Sequence, residues 1–305
     1  MKKLNAKSTI MLFLTALIWG MAFVAQCVGM DYIGPFTFTC IRSIIGGFVL
    51  IPCIWFLNKL NVKEKDAEKK KVSAKEKKIL LIGGICCGLA LGIASNLQQF
   101  GVKYTTVGKA GFITALYIVL VPICGIFLKK KVGLRIWISV VIAVAGLYLL
   151  CITETLSIGK GDFLVLLCAF GFTVHILVID YFSPKVVNPV MLSCIQFFTA
   201  GIISAVPMLL FEHPVFENII AAAAPLLYAG VLSSGVAYTL QIVAQKDADP
   251  TIASLILSLE SVFSMLAGWV ILGQALSAKE LAGCALMFGA IILAQLPDKS
   301  VAETK

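Results

Sequence analysis

Apolar residues recur in long runs along almost the whole chain, separated by short stretches in which lysine, aspartate, asparagine and proline collect. Ten such runs lie near residues 9–29, 34–57, 79–99, 105–128, 133–151, 161–180, 189–210, 221–243, 250–272 and 279–296. A helix rises about 1.5 Å per residue, so a run of about 20 residues matches the hydrocarbon layer of a bilayer. The pattern predicts an all-α polytopic membrane protein with ten transmembrane helices. Lys2, Lys3 and Lys7 precede the first run as they would in a secretory leader, but its length and the nine runs behind it predict a retained span.

Composition points the same way. Of 305 residues, 60% are hydrophobic and 13% charged, and mean hydropathy is +0.99, whereas soluble domains carry about 25% charged residues. The ten cysteines raise the question of disulfide bridges, yet Cys27, Cys40, Cys53, Cys124, Cys168, Cys194 and Cys284 all fall inside apolar runs and read as small apolar side chains.

A formal charge of +9 invites a nucleic-acid reading until the basic residues are located. Residues 58–78 hold Lys59, Lys63, Lys65, Lys69, Lys70, Lys71, Lys75, Lys77 and Lys78 between two apolar runs. Lys129, Lys130, Lys131 and Arg135 mark the next even-numbered connection, and Lys185, Lys246, Lys299 and Lys305 add to the same side. The opposite connections hold only Lys103, Lys160 and Lys279. Basic residues collect on cytoplasmic loops, so both termini are expected in the cytoplasm. This bias accounts for the charge with no nucleic-acid partner, while leaving the lysine-rich loop free to meet anionic lipid headgroups.

The chain also resembles itself. A shift of 143 residues places Ala110, Ile113, Leu116, Val119, Gly125, Gly146 and Leu150 over Ala253, Ile256, Leu259, Val262, Gly268, Gly289 and Leu293. Pro35, Cys40, Ile41 and Gly47 overlay Pro189, Cys194, Ile195 and Gly201 in the same order. Each repeat holds five runs, an odd number, so the second must enter the membrane from the opposite side to the first. Two inverted five-helix repeats around a central cavity favour alternating access. The expected organisation is a cytoplasmic N-terminal tail over 1–8, a first repeat over 9–151 that includes the basic cytoplasmic loop 58–78, a second repeat over 161–296, and a cytoplasmic C-terminal tail over 297–305. Gly84, Gly88 and Gly92 predict close helix contact, and Pro122, Pro207 and Pro225 predict bends, either beside a solute path or from packing alone.

Polar side chains inside these runs are costly to hold in lipid and mark candidate cavity residues. Arg42 interrupts the second run and needs water, a partner or a carboxylate-bearing solute, unless it anchors the helix at the interface. Near the middle of the ninth run, Glu260 is flanked by Leu257, Leu259, Val262 and Phe263. An unpaired carboxylate there is expensive, which predicts proton exchange, cation recognition, or a fixed ion pair with Arg42 or Lys109. Lys109 follows Tyr104-Thr105-Thr106 and either reaches the interface or lines a vestibule. His175 stands midway through the sixth run as a proton relay, a hydrogen-bond donor or a locally satisfied packing residue. Asn96, Gln98, Gln99, Gln196, Tyr238 and Gln241 add hydrogen-bonding groups that can orient polar solutes, and Tyr117 and Trp19 add amphipathic rings that serve a cavity or packing equally well. His213 has no neighbouring ligand set, and the sequence offers no metal constellation, nucleophile motif or P-loop. Neither an enzyme nor an ATP-driven pump is expected, and no cofactor is called for.

Three motifs give the chain a family likeness: Leu17-Ile-Trp-Gly20, Tyr104-Thr-Thr-x2-Lys-Ala-Gly-Phe112 and Ser258-Leu-Glu-Ser261. With them the chain resembles, over almost its whole length, the EamA-like family of the drug/metabolite transporter superfamily. The resemblance implies two inverted five-helix units and export of small metabolites, often amino acids or related compounds. It also aligns Arg42 with a basic family position, whose counterpart in the second repeat here is Gln196. Leu272-Gly273-Gln274-Ala275-Leu276-Ser277 departs from the family element in carrying glutamine for an acid, and the first repeat reads Lys129-Lys130-Lys131-Val132-Gly133 there, so a function tied to that acid does not carry over.

The expected protein is thus a multi-pass transporter of a bacterial plasma membrane, moving a small polar or amphipathic metabolite by alternating access, with proton coupling and homodimer formation left open. A non-transporting membrane sensor or assembly scaffold is the alternative, since packed helices and a basic loop do not require a transport cycle.

Overall fold

The computed structural model of the chain describes residues 5–64, 73–105, 107–130, 132–151, 159–272 and 277–296; among these there is no strand. The first three spans are α1 (Ala6–Gly29), α2 (Pro35–Glu64) and α3 (Ala74–Tyr104). The fourth consists of two helices, α4 (Val107–Ala115) and α5 (Tyr117–Phe127). The fifth, sixth and seventh are α6 (Leu134–Cys151), α7 (Lys160–Phe182) and α8 (Pro189–Phe211). After the short α9 (Phe216–Ala221), the eighth span joins α10 (Ala223–Leu227), a π-helical stretch over Tyr228–Ala237 and α11 (Tyr238–Gln245). The ninth is again two helices, α12 (Pro250–Leu257) and α13 (Glu260–Leu272), and the tenth is α14 (Ala278–Gln295). Among the described residues nine spans are long and apolar enough to cross a bilayer, and the fifth carries a shorter apolar stretch over Leu134–Leu149.

Two features differ from the sequence expectation. The backbone of α2 runs to Glu64, well into the basic connection expected to start at residue 58. On its far side Ser73 caps α3 with Glu76, which accepts from the Ser73 N–H at 2.8 Å and donates its own N–H to Ser73 Oγ at 3.2 Å. Of the expected tails and connections, residues 1–4, 65–72, 297–305 and Gln274 lie outside the described residues.

The second difference concerns the bends. Pro122 and Pro207 stay inside α5 and α8, and Pro225 falls in the first turn of α10, where a missing N–H costs little. The helices break instead at Leu116 and at Ser258–Leu259, positions that the 143-residue repeat superposes. Both breaks tighten to i→i−3 bonds, Leu116 N–H to Ile113 O at 3.2 Å and Leu259 N–H to Ile256 O at 3.2 Å. In the ninth span serine hydroxyls compete for backbone carbonyls, Ser254 Oγ bonding Thr251 O and Ser258 Oγ bonding Leu255 O. Ser261 Oγ also donates to Gly111 O at 3.0 Å, which draws on the carbonyl ladder just above the fourth-span break.

Helix packing fixes what these breaks face. Gly84, Gly88 and Gly92 lie along α8, where an added Cβ at Gly88 would meet Gln196 O at 2.6 Å and one at Gly92 would meet Ala200 Cα at 3.2 Å. Four cysteines, Cys40, Cys87, Cys168 and Cys194, are buried free thiols, whereas Cys27 and Cys53 point out of the bundle, contrary to expectation, on its lipid-facing side. A Gly88→Ala variant should lose folded yield and melt lower, by roughly 1–3 kcal/mol in stability, because the opposing carbonyl belongs to a rigid helix. Gly289→Ala, whose Cβ meets nothing within 4 Å, should be unchanged in the same melts. Equal behaviour of the two variants would contradict this packing.

Candidate functional site

The broken spans meet each other in the centre of the bundle. Tyr117 opens α5 and Glu260 opens α13, and the Tyr117 hydroxyl donates to Glu260 Oε1 at 2.9 Å. These two residues are equivalent in the repeat, so the bond joins one position to its own copy across the axis that relates the halves. The family-like motifs converge on the same point. Gly20 of the Leu-Ile-Trp-Gly motif lets α1 press on the ninth-span break, an added Cβ there falling 2.7 Å from Glu260 O. Gly111 of the fourth-span motif accepts the hydrogen bond from Ser261.

A cavity of about 30 Å³ opens beside this contact, room for about two waters. Its wall contains Arg42, Tyr117, His175, Tyr238, Gln241 and Glu260 together with Trp19, Gln26, Gln98, Thr114, Phe172 and Ser233. Arg42 is 3% exposed and Glu260 4% exposed, yet among the described residues no ion pair joins them. The fixed Arg42–Glu260 pair allowed by the sequence is therefore absent. Arg42 Nε has no hydrogen-bond partner, and neither has Trp19 Nε1 nor one amide atom each of Gln26 and Gln241. Buried polar groups are almost always satisfied, and these unpartnered atoms belong to residues of the cavity wall, while Asn96 Oδ1, Gln99 Oε1 and Gln196 Nε2 lack partners behind it. Aromatic rings hold the opposite flank: Trp19 packs on Tyr238 at 4.4 Å, and His175 meets the edge of the same ring at 5.8 Å.

The other expected residues sit behind or above the cavity. Gln196 Oε1 lies 3.1 Å from His175 Nε2, so it orients a wall residue and does not itself line the space. Asn96 donates to Gly92 O at 2.7 Å and to Ser204 Oγ at 2.8 Å, tying α3 to α8. Gln99 donates to Gln26 O at 3.2 Å, locking α3 to α1 above the cavity. Lys109 is in the first turn of α4, and its side chain lies outside the described residues. His213 stands away from this centre, in a pocket of about 220 Å³ with Glu212 and Thr37; among the described residues no cluster of metal-ligating side chains occurs. Gln26, Thr114, Phe172 and Ser233 were not singled out by the sequence. The repeat offered one signal for Gln98, which is the copy of Gln241 at the 143-residue shift.

Comparison with known proteins bears on the whole chain. The model of the EamA-like transporter family matches it twice, over residues 6–152 and 159–296. A protein of Archaeoglobus fulgidus described as an uncharacterized transporter is 32% identical over 286 residues, spanning 93% of this chain and 84% of its own. A second protein from the same organism, with the same description, is 25% identical over 279 residues, spanning 89% and 91%. A crystal structure that covers 98% of both chains superposes with a TM-score of 0.75 at 18% identity, which shows a shared fold. With the family matched in both halves, the chain belongs to the EamA-like transporter family.

Proposed function

We propose that the protein is a secondary transporter that exports a small polar or amphipathic metabolite, an amino acid or a related zwitterion, by alternating access across a bacterial plasma membrane, with both termini in the cytoplasm. One observation carries this: Arg42 and Glu260, opposite in charge type and from different repeats, line one cavity without pairing. Two such buried groups without a shared ion pair are poorly compensated by the protein itself, and a zwitterion compensates both at once. Arg42 and the Trp19 N–H supply donors for a carboxylate, and the Glu260 carboxylate supplies an acceptor for an ammonium group. Trp19, Phe172 and Tyr238 give the remaining side chain an aromatic surface.

The direction of movement follows from the family's metabolite-export members, and the orientation follows from the lysine distribution. Coupling to protons is assigned to Glu260, since a proton can replace the ammonium group as the partner of its charge when the solute leaves. Membrane lipids cover the outer helix faces, and a homodimer is compatible with them.

In proteoliposomes supplied with a panel of amino acids, nucleobases, organic anions and organic cations, flux of at least one zwitterion should saturate. Arg42→Gln should then lower flux of carboxylate-bearing solutes about tenfold or more, with a smaller effect on analogues lacking the carboxylate. Equal loss for both, in protein of normal yield and monodispersity, would contradict recognition by Arg42. Glu260→Gln should leave a saturable flux that no longer responds to an imposed proton gradient, and a retained response would remove Glu260 from the coupling step.

A further inference from the structure

One end of the bundle, the face where α3 turns into α4 and α7 begins, lies a short way along α3 from the cavity. Gln98 lines it, and Thr105 ends the same helix seven residues later, about 10 Å along the axis. Between them lies a thin apolar layer of Phe23, Val102, Ala110 and Val165. Above that layer the two repeats touch backbone to backbone. An added Cβ at Gly161 would sit 2.7 Å from Tyr104 C and 2.8 Å from Tyr104 O, and one at Gly101 would collide with Val165 and reach Gly161 O at 3.1 Å. Asp162, 6% exposed, closes the seam: it accepts from the Thr105 hydroxyl of the first repeat and, at 2.9 Å, from its own Gly159 N–H.

We propose that this glycine seam, latched by Thr105 on Asp162, is the gate through which the cavity opens to that face. The far ends of the same spans are tied as well, by the ion pair of Lys130 after α5 with Asp180 near the end of α7. The sixth span is thus fastened at both ends, to the end of the third by the latch and to the end of the fourth by Lys130–Asp180, and parting at the seam frees its gate end while the other stays tied. Elsewhere on the gate face, Glu212 at the end of α8 accepts from Phe36 N–H at 3.0 Å, Thr37 N–H at 2.8 Å and Thr37 Oγ1 at 2.7 Å. This ties α2 to α8 on the same face. The gate rests on the transport cycle proposed above, but its test reads accessibility and needs no knowledge of the solute.

The test uses the full chain in proteoliposomes with its native cysteines replaced and Ser233→Cys, in the cavity wall, as reporter. A membrane-impermeant thiol reagent is applied from each side in turn. Gly161→Ala wedges the seam and Thr105→Val removes the latch hydroxyl while keeping the side-chain shape. Both should raise labelling from the gate face about tenfold relative to the opposite face, and Gly289→Ala should not. Labelling of the reporter parent from both faces, with an unchanged ratio in the two folded variants, would overturn the gate. Should the parent label from neither face, the transport cycle itself would be contradicted and the gate with it.

Discussion

Two ionisable side chains, Arg42 and Glu260, are buried in the wall of one cavity inside the bundle, and among the described residues no ion pair joins them. In a low-dielectric interior an arginine and a glutamate are driven together unless the backbone forbids it. Here α2 carries Arg42 from the first repeat and α13 carries Glu260 from the second. Gly20 pressed against the Glu260 carbonyl, the Ser261–Gly111 bond and the Tyr117 hydroxyl together hold the glutamate where it is. Packing of helices from both repeats thus sets which side chains line the cavity.

The duplicated architecture explains how one scaffold supplies such a site. Tyr117 and Glu260 are copies of one position, as are Gln98 and Gln241, and Arg42 and Gln196 are copies of another. The scaffold is symmetric, while the charges on it are not: Glu260 and Arg42 stand where their copies are Tyr117 and Gln196, whereas Gln98 and Gln241 are alike. Tyr117 supports Glu260 directly, and Gln196 supports His175 in the cavity wall. Inverted repeats are the kind of scaffold on which alternating-access carriers are built.

Much of this was legible in the sequence, for physical reasons that also mark the limits. Spans are read from hydropathy because lipid admits little else of that length, and Arg42 and Glu260 stand out because charge in such a run demands an explanation. Serine and threonine are cheap enough in membrane helices to carry no such signal, so Thr114 and Ser233 passed unnoticed. Asn96 and Gln99 do not line the cavity, and sequence cannot show that their NH2 groups bond Ser204 and the Gln26 backbone while their side-chain oxygens have no partner. The helix breaks were sought at prolines and occur at Leu116 and Ser258–Leu259, where hydroxyls from other turns and another span draw on the carbonyl ladder. Only the coincidence of both breaks in the repeat register could have pointed to them.

The most direct measurement of the central claim is a structure of the protein with its transported solute bound. The account predicts density between α2 and α13, with a carboxylate on the Arg42 guanidinium, a cationic group on Glu260, and the two side chains still apart. A solute bound elsewhere, with Arg42 and Glu260 collapsed into an ion pair, would contradict it.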